Sequence, residues 1–482
     1  MKQSWLRFLS IVLLLLLTVS VVAAAGFLLP AQYEKAFTGE FDDMVARLKE
    51  TKEPKLIVVG GSSVAFGVDA KLLGETLGMP VVNFGLYATL GTKTMLDYSK
   101  ANLGEGDIVV IAPELNTQTW SMYFNAESMW QAIDGHFGLL RYLNGDDAPA
   151  MLGAFWKLAS GKTKFFLQKT DLDPEGIYNA SSFDEFGFIR HNRTKDYNVM
   201  VGGYDASMTL RFDPAIFDEE FIEYVNDYVR YAKKKGATVY LGFCPMNEDA
   251  LDPDTTMETL DAYVAALREN FDCELLGEPN SYLYRSGYFY DSNFHLNSAG
   301  AVVHTRRLAL DLAAILPEEI EVKIDVPAVP EIPETPDEPE EYEYDENEVY
   351  FLYDVKDTGV EIVGVSDLGK TQTVLTTPKA FDGKKVVMLT SGTFADCGNL
   401  TELFVTENIS QIHDGTFEGA GNLTKIHMAS SNPDNCIVNS MSGEAFVGTS
   451  SKCRVYVPNG ALSDYKNNYF WGIYSNLLTE EN

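Results

Sequence analysis

The stretch Lys55-Leu-Ile-Val-Val-Gly-Gly-Ser-Ser-Val-Ala-Phe-Gly67 decides how this sequence folds. Lys55–Val59 is short, apolar and rich in β-branched residues, with no polar alternation. Such a run reads as a strand buried on both faces, the situation of a parallel sheet covered by helices. Two glycines and two serines follow at once. A serine on a tight glycine turn at a strand's carboxyl end has an exposed hydroxyl, at the edge where open α/β sheets place their ligands.

Working outward, the same pattern recurs. Pro80–Phe84 (PVVNF), Asp107–Ala112 (DIVVIA), Thr238–Phe243 (TVYLGF) and Cys273–Leu276 read as further strands. Helical patterns lie between them. Gln32–Lys52 reads as an amphipathic helix, and Asp218–Lys235 places Phe221, Tyr224, Val225, Tyr228 and Tyr231 on one face, with Gly236 to close it. Thr255–Asn270 and Ser298–Leu316 complete the set. Strands alternating with helices predict an α/β domain built on a parallel sheet. Residues Trp120–Met208 break the alternation and are rich in Phe, Tyr and Trp. They read as an insertion or lid over the carboxyl ends of the strands.

Composition bounds the partners. With 37 basic and 70 acidic residues the net charge is −33 over 482 residues, which opposes binding to a phosphate backbone. Five cysteines, none spaced Cys-x-x-Cys, make no disulfide framework. Six histidines without a His-Glu-x-x-His arrangement give no expectation of a metal, and nothing calls for a cofactor. Lys2 and Arg7 precede an apolar run from Phe8 to Leu29. That length suits a membrane anchor better than the core of a cleaved signal peptide, although Ala23 and Ala25 would permit cleavage after Ala25. Either way the positive N-terminus stays inside, and everything past Pro30 is expected outside the cytoplasm.

Residues 1–30 are thus the anchor or signal peptide and 31–317 the sheet domain. Residues 318–348 are a linker and 349–482 a second unit. Between Glu318 and Glu348 stand 14 acidic residues and one lysine, with Pro327, Pro330, Pro333, Pro336 and Pro339 at every third position. Polyproline II has three residues per turn, so this segment is expected to be a stiff extended rod that lets the two globular parts fold independently, with the prolines spanning roughly 37 Å. Beyond it, the ten residues from Gly392 to Thr401 match those from Gly415 to Thr424 at a spacing of 23, and a degenerate copy begins near Gly443. Glu402–Val405 and Lys425–Met428 read as its strands, with Phe394, Phe417 and Cys397 as buried fillers. These residues resemble the BspA-like leucine-rich repeats, and the resemblance implies extracellular recognition or adhesion, with a plain spacer as the alternative.

Four pieces of the first domain carry the chemistry. They are Gly61-Ser62-Ser63-x-x-x-Gly67, Asn83-Phe84-Gly85, Asn116 just past a strand, and Asp291-Ser-Asn-Phe-His295-Leu-Asn-x-x-Gly300. In this order they resemble the SGNH (GDSL-like) hydrolases, most closely the membrane-anchored, extracytoplasmic branch. The implied fold is a flavodoxin-like parallel sheet. The implied site has Ser63 as nucleophile and His295 as its base, with Asp291 orienting the imidazole. The Ser63 and Gly85 N–H groups and the Asn116 side chain would form the oxyanion hole. Asp291 stands four residues before His295, an offset that one helical turn would bridge. Ser62 replaces the family's aspartate, and Glu114 stands where a glycine is usual.

The resemblance implies a serine esterase or O-acyltransferase acting on acyl groups of a cell-envelope polysaccharide or other acylated glycan, with a membrane-bound O-acyltransferase as a partner. The alternative is a non-catalytic adhesion or scaffold protein on a degenerate SGNH fold. Glu185, Arg190, His191 and Arg193 are weaker candidates in the insertion; His191 could touch substrate, although a lone loop histidine is more often merely solvated. Trp120, Tyr123, Phe124 and Trp130 read either as lid core or as sugar-stacking rings.

Overall fold

The computed structural model describes residues 2–190, 198–316, 329–330, 332–333, 345–439 and 444–481. It is a mixed α/β protein with several parallel sheets. The central sheet uses β1 (Leu56–Gly60), β2 (Val81–Gly85), β3 (Ile108–Ala112), β4 (Thr238–Leu241) and, after a short strand β5 (Met246–Asn247), β6 (Glu274–Leu275). All five sheet strands are parallel, in the order β2-β1-β3-β4-β6. Side chains alternate across β1. Leu56 and Val58 pack with Leu73, Leu308 and Leu312 on one face, whereas Ile57 and Val59 join Phe41, Leu96 and Phe221 on the other. Because both faces are covered, the strands read as continuous apolar runs. The order reverses between β1 and β3, which opens a crevice beyond their carboxyl ends.

Among the described residues, the helices of the sheet domain are α1 (Lys2–Leu28), α2 (Phe41–Glu50), α3 (Ser62–Gly67), α4 (Ala70–Leu77), α5 (Thr92–Ser99), α6 (Ala126–Ala132), α7 (Ala148–Gln168), α8 (Glu219–Lys234), α9 (Met257–Asn270) and α10 (Ser298–Ala313). Asp218 caps α8 by accepting from the Phe221 N–H, and Gly236 follows with φ +85°. The helix expected over Gln32–Lys52 is only α2, with a 3₁₀ turn at Phe37–Glu40 before it. Residues 32–36 instead anchor to neighbours, the Gln32 N–H donating to Asp134.

The expected lid is divided in two. Tyr178 reaches the carboxyl end of the sheet, whereas α7 packs back on α1. Trp120 and Trp130 are buried core residues, against Phe217 and Phe271 and against Phe27 and Phe155 respectively. Arg190 pairs with Asp69 and Asp184, while His191 and Arg193 lie outside the described residues.

After β7 (Leu283–Tyr284), the hairpin β8 (Phe289–Ser292) and β9 (His295–Leu296) leads into α10. The C-terminal unit stacks its strands into two further sheets, one of them parallel throughout. Glu402 pairs with Lys425, the step of 23 read from the sequence. Phe394, Phe417 and Phe446 stack face to face at 5.3 Å intervals inside it, and Cys397 is buried. The third copy's start at Gly443 lies outside the described residues.

Two linker expectations need correction. The described pieces do not form a free rod, because Ile332 packs on the sheet domain's core and the Pro333 carbonyl accepts from the Met257 N–H at 3.0 Å. The prolines at 327, 336 and 339 lie outside the described residues. Nor are the two units separate. One apolar core contains Tyr284, Tyr288, Phe289, Leu296 and Val303 together with Phe351, Val360, Ile437 and Phe470. Tyr288 packs on Phe470 at 5.0 Å and donates to Asp434 at 3.1 Å. Apolar residues of both units meet in that core, a contact that sequence composition cannot reveal.

Candidate active site

β1 ends in Gly60 and Gly61, and α3 starts on Ser62. The turn needs its glycine, since a Cβ on Gly60 would stand 2.5 Å from Val64 Cγ2 and 2.7 Å from the Ala112 carbonyl. Successive residues at a helix start diverge by about 100°. Ser62 therefore points out of the sheet's end and Ser63 back inside.

It is Ser62, not Ser63, that meets the histidine. Ser62 Oγ lies 2.7 Å from His295 Nε2. Ser63 Oγ, on the expected nucleophile, is buried without a hydrogen-bond partner among the described residues. Four residues from Ser63 to Gly67 fit the family spacing, but the direction of the first helical turn decides which hydroxyl is presented.

Asp291 and His295 come together as expected, His295 Nδ1 lying 2.8 Å from Asp291 Oδ1. The offset of four is not bridged by a helical turn. Asp291 is on β8 and His295 on β9, and Ser292 pairs across the hairpin with His295. Ser292 Oγ accepts from the Phe294 and His295 N–H groups at 3.2 and 3.1 Å and so fixes the turn. Asn297 caps α10 by accepting from the Gly300 N–H, and its Nδ2 donates to the Gly287 and Phe289 carbonyls. This ties the hairpin down at both ends.

Two further residues hold the imidazole. The Phe66 ring stacks on it at 4.2 Å with an interplanar angle of 6°. The Tyr178 hydroxyl donates to Asp291 Oδ2 at 2.7 Å and lies 3.2 Å from His295 Nδ1. Burial, and then the Asp291 charge, push the Tyr178 phenol well above its ordinary pKa, so it stays a neutral donor. Nothing in the sequence around Tyr178 marks it, because insertion and hairpin meet only in the fold.

The expected oxyanion donors are differently employed. Glu114, just past β3, puts Oε1 3.2 Å from Ser62 Oγ and accepts from the Ser63 N–H at 3.0 Å. The Gly85 N–H donates to Asn83 Oδ1 at 3.1 Å. Asn116 accepts from the Thr119 N–H at 3.1 Å through Oδ1. The geometry thus supplies a hydroxyl, an imidazole and a carboxylate in line, with a second carboxylate beside the hydroxyl. Ser62 and His295 are both buried, at 3% and 9% exposure. A cleft of about 570 Å³ reaches Asp291, walled by Met200–Ser207 on one side and by the turn Val355–Thr358 of the C-terminal unit on the other.

Compared with models of known protein families and with curated proteins, the chain shows no significant match.

Proposed function

We propose that the chain is an extracytoplasmic serine esterase or O-acyltransferase of the SGNH type, tethered by α1. It acts on acyl groups of a cell-envelope polymer, and the C-terminal unit, a BspA-like leucine-rich repeat, recognises that polymer. The observation that carries this reading is the line Ser62–His295–Asp291, at 2.7 and 2.8 Å.

With Nδ1–H given to Asp291, the Nε2 lone pair of His295 faces the Ser62 hydroxyl. Ser62 Oγ attacks the acyl carbonyl carbon while its proton passes to Nε2. The ester C–O bond then breaks, and the departing alcohol takes the proton back from His295. Water or a sugar hydroxyl resolves the acyl-serine by the same steps in reverse.

The test is covalent labelling of the full chain in detergent with a fluorophosphonate. The parent and Ser63→Ala should label, and Ser62→Ala should not. Labelling that survives Ser62→Ala would sink the assignment. Glu114 favours a second reading, a site that binds an acylated glycan without cleaving it. An unlabelled parent whose Glu114→Gln variant also stays unlabelled would select that reading.

A further inference from the structure

We propose that α7 is a membrane-surface helix, seated in the outer interface of the bilayer that α1 crosses, with Leu152, Trp156, Phe166 and Leu167 in the lipid and Lys164 and Lys169 against lipid phosphates. The inference rests on α1 being the membrane span and is independent of the Ser62 chemistry.

Depth is the first argument. α1 has one apolar stretch, Trp5–Leu28, of 24 residues and mean hydropathy 2.8, almost wholly uncovered by protein. A hydrocarbon layer of about 30 Å takes roughly 20 helical residues. Whatever packs on the last turns of α1 therefore stands at the level of the lipid headgroups. α7 does so. Gly26 is pressed against the Phe155 ring, and Phe27 stacks on Phe155 at 4.7 Å. The buried Lys162 ammonium donates to the Gly26 carbonyl at 3.0 Å and pairs with Asp134 at 2.6 Å. One turn beyond α1, Tyr33 packs edge-on against Phe165.

Composition is the second argument. α7 runs APAMLGAFWKLASGKTKFFLQ, 21 residues without a single acidic side chain in a chain of net charge −33. Leu152 is 78% exposed, Trp156 58%, Phe166 50% and Leu167 75%. An apolar, cation-bearing helix of this kind suits the interface of a bilayer containing anionic lipid. Trp156 stands near the outer end of the span as Trp5 stands near its inner end, the two levels where tryptophan prefers to sit. Lys157 is held by Glu127, which leaves Lys164 and Lys169 flanking Phe166 and Leu167 as the cations turned outward.

The experiment uses the full chain in lipid nanodiscs of phosphatidylcholine and phosphatidylglycerol. Single substitutions Leu152→Cys and Leu167→Cys would carry an environment-sensitive fluorophore, with Asp464→Cys on the C-terminal unit as the reference. Four native cysteines are buried and Cys273 is partly so, and labelling of the parent measures their background. A nitroxide on the lipid headgroup or upper acyl chain should quench both α7 labels at least threefold more than the reference, with a blue shift. Unquenched labels in a chain that stays with the bilayer would overturn the proposal. So would efficient cross-linking of Leu152→Cys between two copies, which would make the face a dimer contact.

Discussion

Glu114→Gln should activate the site rather than impair it. Glu114 Oε1 touches both Ser62 Oγ, at 3.2 Å, and the Ser63 N–H, at 3.0 Å. Attack by Ser62 creates an oxyanion within about 4 Å of that carboxylate. At an effective dielectric of about 20, two like charges at that separation oppose each other by about 4 kcal/mol. The histidine becomes an imidazolium in the same step and takes back part of this. The net penalty therefore lies between about 1.4 and 4 kcal/mol, or tenfold to ~10³ in rate. An amide keeps an acceptor for the Ser63 N–H and adds two donors. A donor aimed at the oxyanion contributes about 10²–10³ in kcat by itself. The assay is hydrolysis of p-nitrophenyl acetate by the full chain, with the rate of fluorophosphonate inactivation as a second readout. A Glu114→Gln variant that is folded and no faster than the parent would refute the electrostatic argument. One that is slower would show the carboxylate to be a working acceptor for the Ser62 proton.

Asp291→Asn should lower kcat by about 10⁴ in the same assay, since the imidazole loses the acceptor that sets its tautomer. Tyr178→Phe removes one hydrogen bond to that carboxylate and should cost about tenfold, with no loss of folding. Tyr288→Ala should destabilise the chain by about 3–5 kcal/mol and give two melting transitions where the parent is expected to give one, because the ring is shared by both units. His304, fully buried behind α3, has its pKa pushed down to about 3 by burial, against 6.5 for a free imidazole. Only the unfolded chain takes up a proton as pH falls below 6.5, so stability is full above that value and is lost on the way to pH 3. At pH 4.5 the loss is about 2.7 kcal/mol, and His304→Gln should remove about that much of the drop in unfolding free energy between pH 7 and pH 4.5, as measured by denaturant titration at the two values.

Much of the sheet was legible from apolar runs between turns, because strands buried on both faces carry no alternation to confuse with helix. β1, β2, β3 and β4 fall within a residue or two of the runs at Lys55, Pro80, Asp107 and Thr238. The Asp291–His295 contact was legible as a pair but not as a hairpin, since an offset of four suits either geometry. Ser62 and Ser63 could not be separated by spacing, because the choice depends on how α3 leaves the sheet. Tyr178 was invisible, and so was the use of Gly85 as a partner for Asn83. Both depend on contacts that the local sequence does not announce. The continuous core of the two units was hidden by the acidic segment between them, whose composition speaks only of itself.

That continuous core gives the order of synthesis a meaning. The hairpin bearing Asp291 and His295 buries Phe289 and Leu296 in a core that also contains Phe351 and Val360 from far later in the chain. While the polypeptide is still emerging, the sheet, the Ser62 turn and the hairpin are all present, but the apolar core behind the hairpin lacks its C-terminal half. At about 5–20 residues per second the missing part follows on the order of ten seconds later. A chain interrupted between Leu316 and the repeats would carry Ser62, Asp291 and His295 without that half of the core. Such a fragment, stopped at Leu316, should label with fluorophosphonate far more slowly than the whole protein. On the proposed reading, a copy truncated before the C-terminal unit is silenced by its own incompleteness.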